Sequence, residues 1–179
     1  MLKRNFKILL VLLVAVFLVG CSTKDGKLVA GNSTNCNSGD FEMNLYSDKK
    51  EYNVNDKINI WGTIKYVGEQ SSITIYSGEP FMVFSITNGK NFNSMGTALT
   101  ILKTTTLVKD KLYHYDYVKS GGFDADAPDA DFWEKFYKEK DLYLPADEYT
   151  IILKGDFSLS PGQEQLSGLA CGLKIKVTK

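Results

Sequence analysis

The chain has 179 residues and a formal net charge of zero, with 44% hydrophobic, 23% charged and 12% aromatic side chains. These averages exclude a disordered polyelectrolyte and a multi-spanning membrane protein, and they leave room for one globular domain. Three of the 21 basic residues, Lys3, Arg4 and Lys7, fall in the first twenty positions, so the remainder carries 18 bases against 21 acids, a balance that argues against a nucleic-acid partner.

At the N-terminus, Met1 to Lys7 is basic, Ile8 to Val19 is an uninterrupted apolar run, and Leu18-Val19-Gly20-Cys21 follows. This is the order of n-region, h-region and cleavage site in a secretory leader. The apolar run has about a dozen residues where a membrane span needs about 20, so it is expected to be cut away. The tetrapeptide Leu18-Val19-Gly20-Cys21 resembles the lipobox of bacterial lipoproteins. The resemblance implies a cleaved signal peptide over 1–20, a diacylglyceryl group on the Cys21 sulfur, and a protein held at the extracytoplasmic face of the cell membrane. The alternative is a conventional secretory leader in which Cys21 is incidental. Two or three acyl chains on one residue anchor stably where a single chain is marginal. Residues 22–40 are dominated by Ser, Thr, Asn, Gly and charges, with too little apolar area to repay ordering. The segment 21–40 therefore reads as a lipidated flexible tether, lifting the domain by about 20 to 25 Å.

With Cys21 assigned to lipid, Cys36 and Cys171 remain. In an exported chain this even pair is expected to form a disulfide that pins the end of the tether to the last strand. Two free thiols are the alternative. Neither Cys has a His or a second Cys at metal-ligand spacing, which argues against structural zinc and against a thiol nucleophile.

After Asp40 the apolar residues alternate: Phe41, Met43, Leu45; Ile58, Ile60, Gly62, Ile64, Tyr66; Ile73, Ile75; Phe81, Val83, Ser85. Period two predicts half-buried strands. Turn residues separate them at Asn53, Asn55 and Asp56, at Gly68, at Ser77-Gly78 and at Asn88-Gly89. Further strands are predicted within 99–108, 111–118, 149–157 and 173–177. Seven or eight short strands over 41–179 point to an all-β, immunoglobulin-like antiparallel sandwich. Trp61 is out of phase with its neighbours and is expected on the opposite side of its strand, beneath the helix. That one inserted helix is predicted from Asp126-Ala127-Pro128-Asp129, which offers acidic capping and an early proline. Phe132, Trp133, Phe136 and Tyr137 follow on one face, and Leu144-Pro145 stops the chain before the next strand. Tyr149 stands where immunoglobulin-like folds carry a tyrosine corner, whose hydroxyl bonds backward to the main chain.

This order of features resembles the intracellular proteinase inhibitor family of bacilli, BsuPI. The likeness is carried by Lys65-Tyr66-Val67-Gly68, by Ile73-Thr74-Ile75-Tyr76-Ser77-Gly78-Glu79-Pro80 with 81–87 after it, by 104–107, and by Leu144-Pro145-Ala146-Asp147-Glu148-Tyr149-Thr150; it spans roughly 56–156. The chain departs from the pattern at Asp147, where a glycine is usual, in its inserted helix, and in its export signal. The resemblance implies an immunoglobulin-like sandwich whose end loops or edges bind another protein, with inhibition of an extracytoplasmic serine protease as an alternative.

Two clusters suggest sites. Asp124, Asp126, Asp129 and Asp131 could hold calcium through oxygen ligands. They do not form an EF-hand, and helix capping with a solvated loop is the competing explanation. The aromatic set Tyr113, Tyr115, Tyr117, Phe123, Phe132, Trp133, Phe136 and Tyr137 offers a contact surface if it stays exposed, and core packing if it does not. Phe123, Trp133 and Tyr137, with Asn93, are the expected binding patch, served by the loops 89–96 and 121–131. Catalysis finds little support. The single His, His114, lies in a predicted strand, and there is no nucleophile elbow and no phosphate-cradling glycine loop. No cofactor other than calcium is indicated. The expected protein is a lipid-anchored, non-catalytic interaction module. Its partners would be the membrane, through the lipid on Cys21, and a protein of the envelope; capture of a solute or of wall glycan is a third reading.

Overall fold

The alternating pattern folds into ten strands and one helix in the computed structural model, which describes residues 29–162 and 164–179. The expected leader over 1–20 and the expected lipid acceptor Cys21 lie outside the described residues. In chain order the elements are β1 (Asn32–Ser38), β2 (Phe41–Ser47), β3 (Glu51–Asn53), β4 (Ile60–Tyr66), β5 (Ser72–Thr87), β6 (Asn93–Ser94), β7 (Leu99–Val108), β8 (Leu112–Asp116), α1 (Ala130–Lys138), β9 (Asp147–Ser158) and β10 (Leu169–Thr178). One sheet runs β1-β2-β4-β8 and the other β3-β10-β9-β5-β6, with β7 paired to β5 as well. The pairing is antiparallel throughout, except that β3 runs parallel to β10. The fold is a two-sheet β-sandwich carrying one short helix.

The alternation sets the core. Met43 and Leu45 of β2 and Ile64 of β4 face Ile151 and Leu153 of β9 and Cys171 and Leu173 of β10, all buried. The sheets approach closely because β4 has no side chain at Gly62, where a Cβ would collide with Leu153 of the opposing sheet. Gly39 takes a positive φ of 52° in the two-residue turn that joins Ser38 to its partner Phe41, as short hairpins require.

Several expectations are corrected. The segment 21–40 is not tether to its end, because 32–38 form β1 along β2. Its polar residues have poor strand propensity, but three ties hold them against the second sheet. Cys36 is bonded to Cys171, with Cα atoms 5.7 Å apart; the Asn32 amide donates to the Lys174 carbonyl at 2.8 Å; and the Ser38 hydroxyl donates to the Ser167 carbonyl at 2.9 Å. The separate strands read around Ile73 and Phe81 are one sixteen-residue strand, β5, with an irregularity between Ser77 and Met82 and a cis bond before Pro80. Trp61 does face away from the core residues of its strand, but it is not beneath the helix. Its ring stacks on Tyr46 of β2 at 5.3 Å and on His114 of β8 at 6.4 Å, on the outer face of the four-stranded sheet.

Candidate functional site

The helix is fixed by aromatic packing. Phe92, buried in the loop between β5 and β6, receives the edges or faces of Phe132, Trp133 and Phe136 from α1 and of Tyr149 from β9, with centroids 5.1 to 6.1 Å apart. Pairs at these separations and tilts are favourable beyond the area they bury. Tyr149 also donates its hydroxyl to the Pro145 carbonyl at 2.9 Å, the backward bond of a tyrosine corner. Asp147 is bound by the Lys90 ammonium at 2.9 Å and by the Asn88 amide at 3.0 Å. The Lys90 contact holds its carboxyl below the usual 3.8.

Lys119 caps the helix from a distance. Its ammonium donates to the carbonyls of Phe136, Glu139 and Asp141 at 2.7, 2.6 and 2.7 Å and sits 4.5 Å from the centre of the Phe136 ring. Three carbonyls at a helix C-terminus want such a donor. Burial depresses the Lys119 pKa. A lysine 17 residues before the first carbonyl it caps gives no local sequence signal.

The expected patch assembles in part. Phe123 stacks on Tyr137 at 6.0 Å with 11° between the rings, and Trp133 lies 6.1 Å from Tyr137. Phe123 and Phe132 are 39% and 40% exposed, Trp133 and Tyr137 are half-buried and Phe136 is buried, so the aromatic cluster runs from the core out to the surface. Asn93 lies in β6, exposed, two residues before Met95, whose carbonyl backs onto Gly121. Beside α1, an open cleft of about 470 Å³ is lined by Asn88, Asn91, Phe92, Asp129, Phe132 and Asp147 among others. Tyr115 and Tyr117 instead pack edge-on against Phe81 and Phe84, at 5.2 and 5.7 Å.

The four carboxylates do not converge. Asp129 stands at the N-cap without a capping bond and accepts from the Trp133 indole at 2.8 Å instead. Asp124 accepts from the Asp126 main chain at 3.0 Å, and Asp126 and Asp131 are exposed. Among the described residues no group of three or more His, Cys, Asp or Glu is placed to hold a metal ion. His114 lies exposed, 2.8 Å from Asp116. No described helix is long and apolar enough to cross a membrane.

No family model matches the chain, and no curated protein does. Among solved structures it is similar to a β-glucosidase from Listeria innocua in complex with glucose, at 12% identity and a TM-score of 0.33, over 78% of this chain and 16% of that one. The chain thus spans about a sixth of that enzyme's length.

Proposed function

We propose that the chain is a lipid-anchored surface protein of bacteria that presents its sandwich as a non-catalytic interaction module, with Cys21 carrying the lipid and an envelope protein as the partner. The observation that supports this most is the partly exposed stack of Phe123 on Tyr137 beside Trp133, on a helix locked to the core by Phe92 and Phe136. Large, rigid aromatic side chains give contact area with little entropy to lose, and they are what interfaces use as anchors. The patch is rigid because the Trp133 indole is tied to Asp129 and the helix end to Lys119.

The test is photo-crosslinking in cells, with a probe residue at Phe123 or at Asn93 in the full chain and mass spectrometry of the adducts. One dominant envelope protein captured from both positions is the expected result. A folded, anchored protein that captures nothing from either position would overturn the reading. Radiolabelled palmitate should enter the parent chain and not the Cys21→Ser variant; label in both would remove the anchor from the proposal.

A further inference from the structure

Phe132 lines two clefts at once. One is the cleft of about 470 Å³ beside α1, with Asn91, Asp129 and Asp147 in its wall. The other, of about 280 Å³, is lined by Asn55, Lys119, Lys135, Glu139 and Tyr143. Phe132 is 40% exposed and Tyr143 38%, so each cleft has an accessible aromatic ring, and a ligand spanning both crosses Phe132.

The groups around Phe132 are held on one side and free on the other. The Asn88 amide donates to Asn91 Oδ1 at 3.0 Å, which leaves Asn91 Nδ2 unengaged among the described residues. The Trp133 indole occupies one carboxylate oxygen of Asp129 at 2.8 Å and leaves the second without a donor. Phe132 itself stacks on Phe136 with 16° between the rings and meets Phe92 edge-on. Donors and acceptors are mixed, and the charges cancel: Asp129, Asp147 and Glu139 stand against Lys119, Lys135 and the Lys90 that binds Asp147. A cation calls for acceptors alone and an anion for donors alone. A mixed and neutral wall suits hydroxyl groups, each of which both donates and accepts, and the negative face of an aromatic ring attracts the C–H hydrogens of a pyranose. An extended peptide draws its affinity from a strand edge or from apolar side-chain pockets. Here the larger cleft is walled by α1 and by the segments leading into β6 and β9.

We propose that Phe132 and its two clefts bind a neutral oligosaccharide, with one pyranose ring stacked on Phe132, Asn91 donating to its hydroxyls and Asp129 accepting from them. Because these groups are fixed before the ligand arrives, little side-chain freedom is lost on binding. The site uses neither Phe123 nor Asn93, so its fate is independent of the photo-crosslinking result.

The test is saturation-transfer NMR with calorimetric titration on the full chain, held in a detergent without sugar headgroups. The probes are the β-1,4-linked tetramers of N-acetylglucosamine and of glucose. Transfer to the ring protons of at least one tetramer is expected; the first alone assigns the ligand to wall glycan, the second alone to a glycan from outside the wall. Asn91→Ala and Asp129→Asn should each weaken binding about five- to tenfold, as loss of one hydrogen bond does. Phe132→Leu, which keeps apolar volume against Phe92 but has no ring face, should abolish it, and Phe123→Ala should bind as the parent does. Three results would each overturn the proposal: no transfer to either tetramer from the folded parent; undiminished binding by both Asn91→Ala and Phe132→Leu; or a photo-probe at Ala146, in the wall of the larger cleft, that captures a protein, which would give the cleft to a polypeptide.

Discussion

Tyr149 and Tyr117 are both largely buried tyrosines of the sandwich, and they differ in what their hydroxyls meet. Tyr149 donates to Pro145 at 2.9 Å. The Tyr117 hydroxyl is buried without a hydrogen-bond partner among the described residues. Removing one partner of a made bond costs about 1 kcal/mol, whereas removing an unsatisfied buried hydroxyl is neutral or stabilising. Tyr149→Phe should therefore lower the Tm and Tyr117→Phe should leave it or raise it, in parallel thermal melts; a larger loss at Tyr117 would show that its hydroxyl is bonded after all. Titration gives a second prediction. Burial raises the pKa of Asp48, but hydrogen bonds from the Tyr52 hydroxyl and from the side chain and main chain of Asn59 outweigh it and leave the group below 3.8. A carboxyl whose folded pKa lies below its unfolded one stabilises the fold above that unfolded value, and the contribution is lost as pH falls through the folded one. The Tm should hold down to about pH 4 and fall below it, with a shallower fall for Asp48→Asn. At the alkaline end the sign reverses. Burial pushes Tyr149 up to about 12, so its contribution is intact below pH 10 and fades as pH rises toward 12.

The elements show which local signals suffice. β2, β4, β9 and β10 were legible because burial imposed period two on their sequences, and α1 because its aromatic face repeats at helical spacing. β1 was not. Its residues are Asn, Ser, Thr and Cys, and what makes them a strand is a set of contacts made about 130 to 140 residues away, at Ser167, Cys171 and Lys174. The same distance gives the disulfide its weight. Closing a loop over a separation of 135 residues removes unfolded-state entropy equivalent to about 5 kcal/mol. Cys36→Ala with Cys171→Ala should lower the Tm by 10 °C or more, on about 2 to 4 °C per kcal/mol for a chain of this size. Hydrogen exchange should show β1 losing protection first, while β9 and β10 keep theirs below the transition. Uniform loss across both sheets would mean that β1 is integral to the core and not an appended edge.

At the scale of the whole molecule, the sandwich could be read from alternation, whereas the surface that would use it could not be read in full. Phe123, Trp133 and Tyr137 were visible as aromatics, but periodicity alone does not say which ring turns inward. That was decided by Phe92, which buries Phe136 while Phe132, packed on the same ring, and Phe123 stay partly exposed. Lys119 was invisible in its role, because it acts on carbonyls brought to it by the fold, whereas Asp129 meets the Trp133 indole only four residues on. This division of labour separates stability from recognition. Phe92→Ala removes the ring at the centre of the aromatic cluster and should cost about 3 to 5 kcal/mol, the range for truncating a buried Phe. Phe123 is 39% exposed and touches the helix on one side only, so Phe123→Ala should change stability by no more than about 0.5 kcal/mol, as surface substitutions do. If the patch is the contact surface, Phe123→Ala should nonetheless abolish the adduct captured from a probe at Asn93, with the Tm unchanged. Undiminished capture would move the contact surface off the helix, and a collapse of Tm would make Phe123 part of the core.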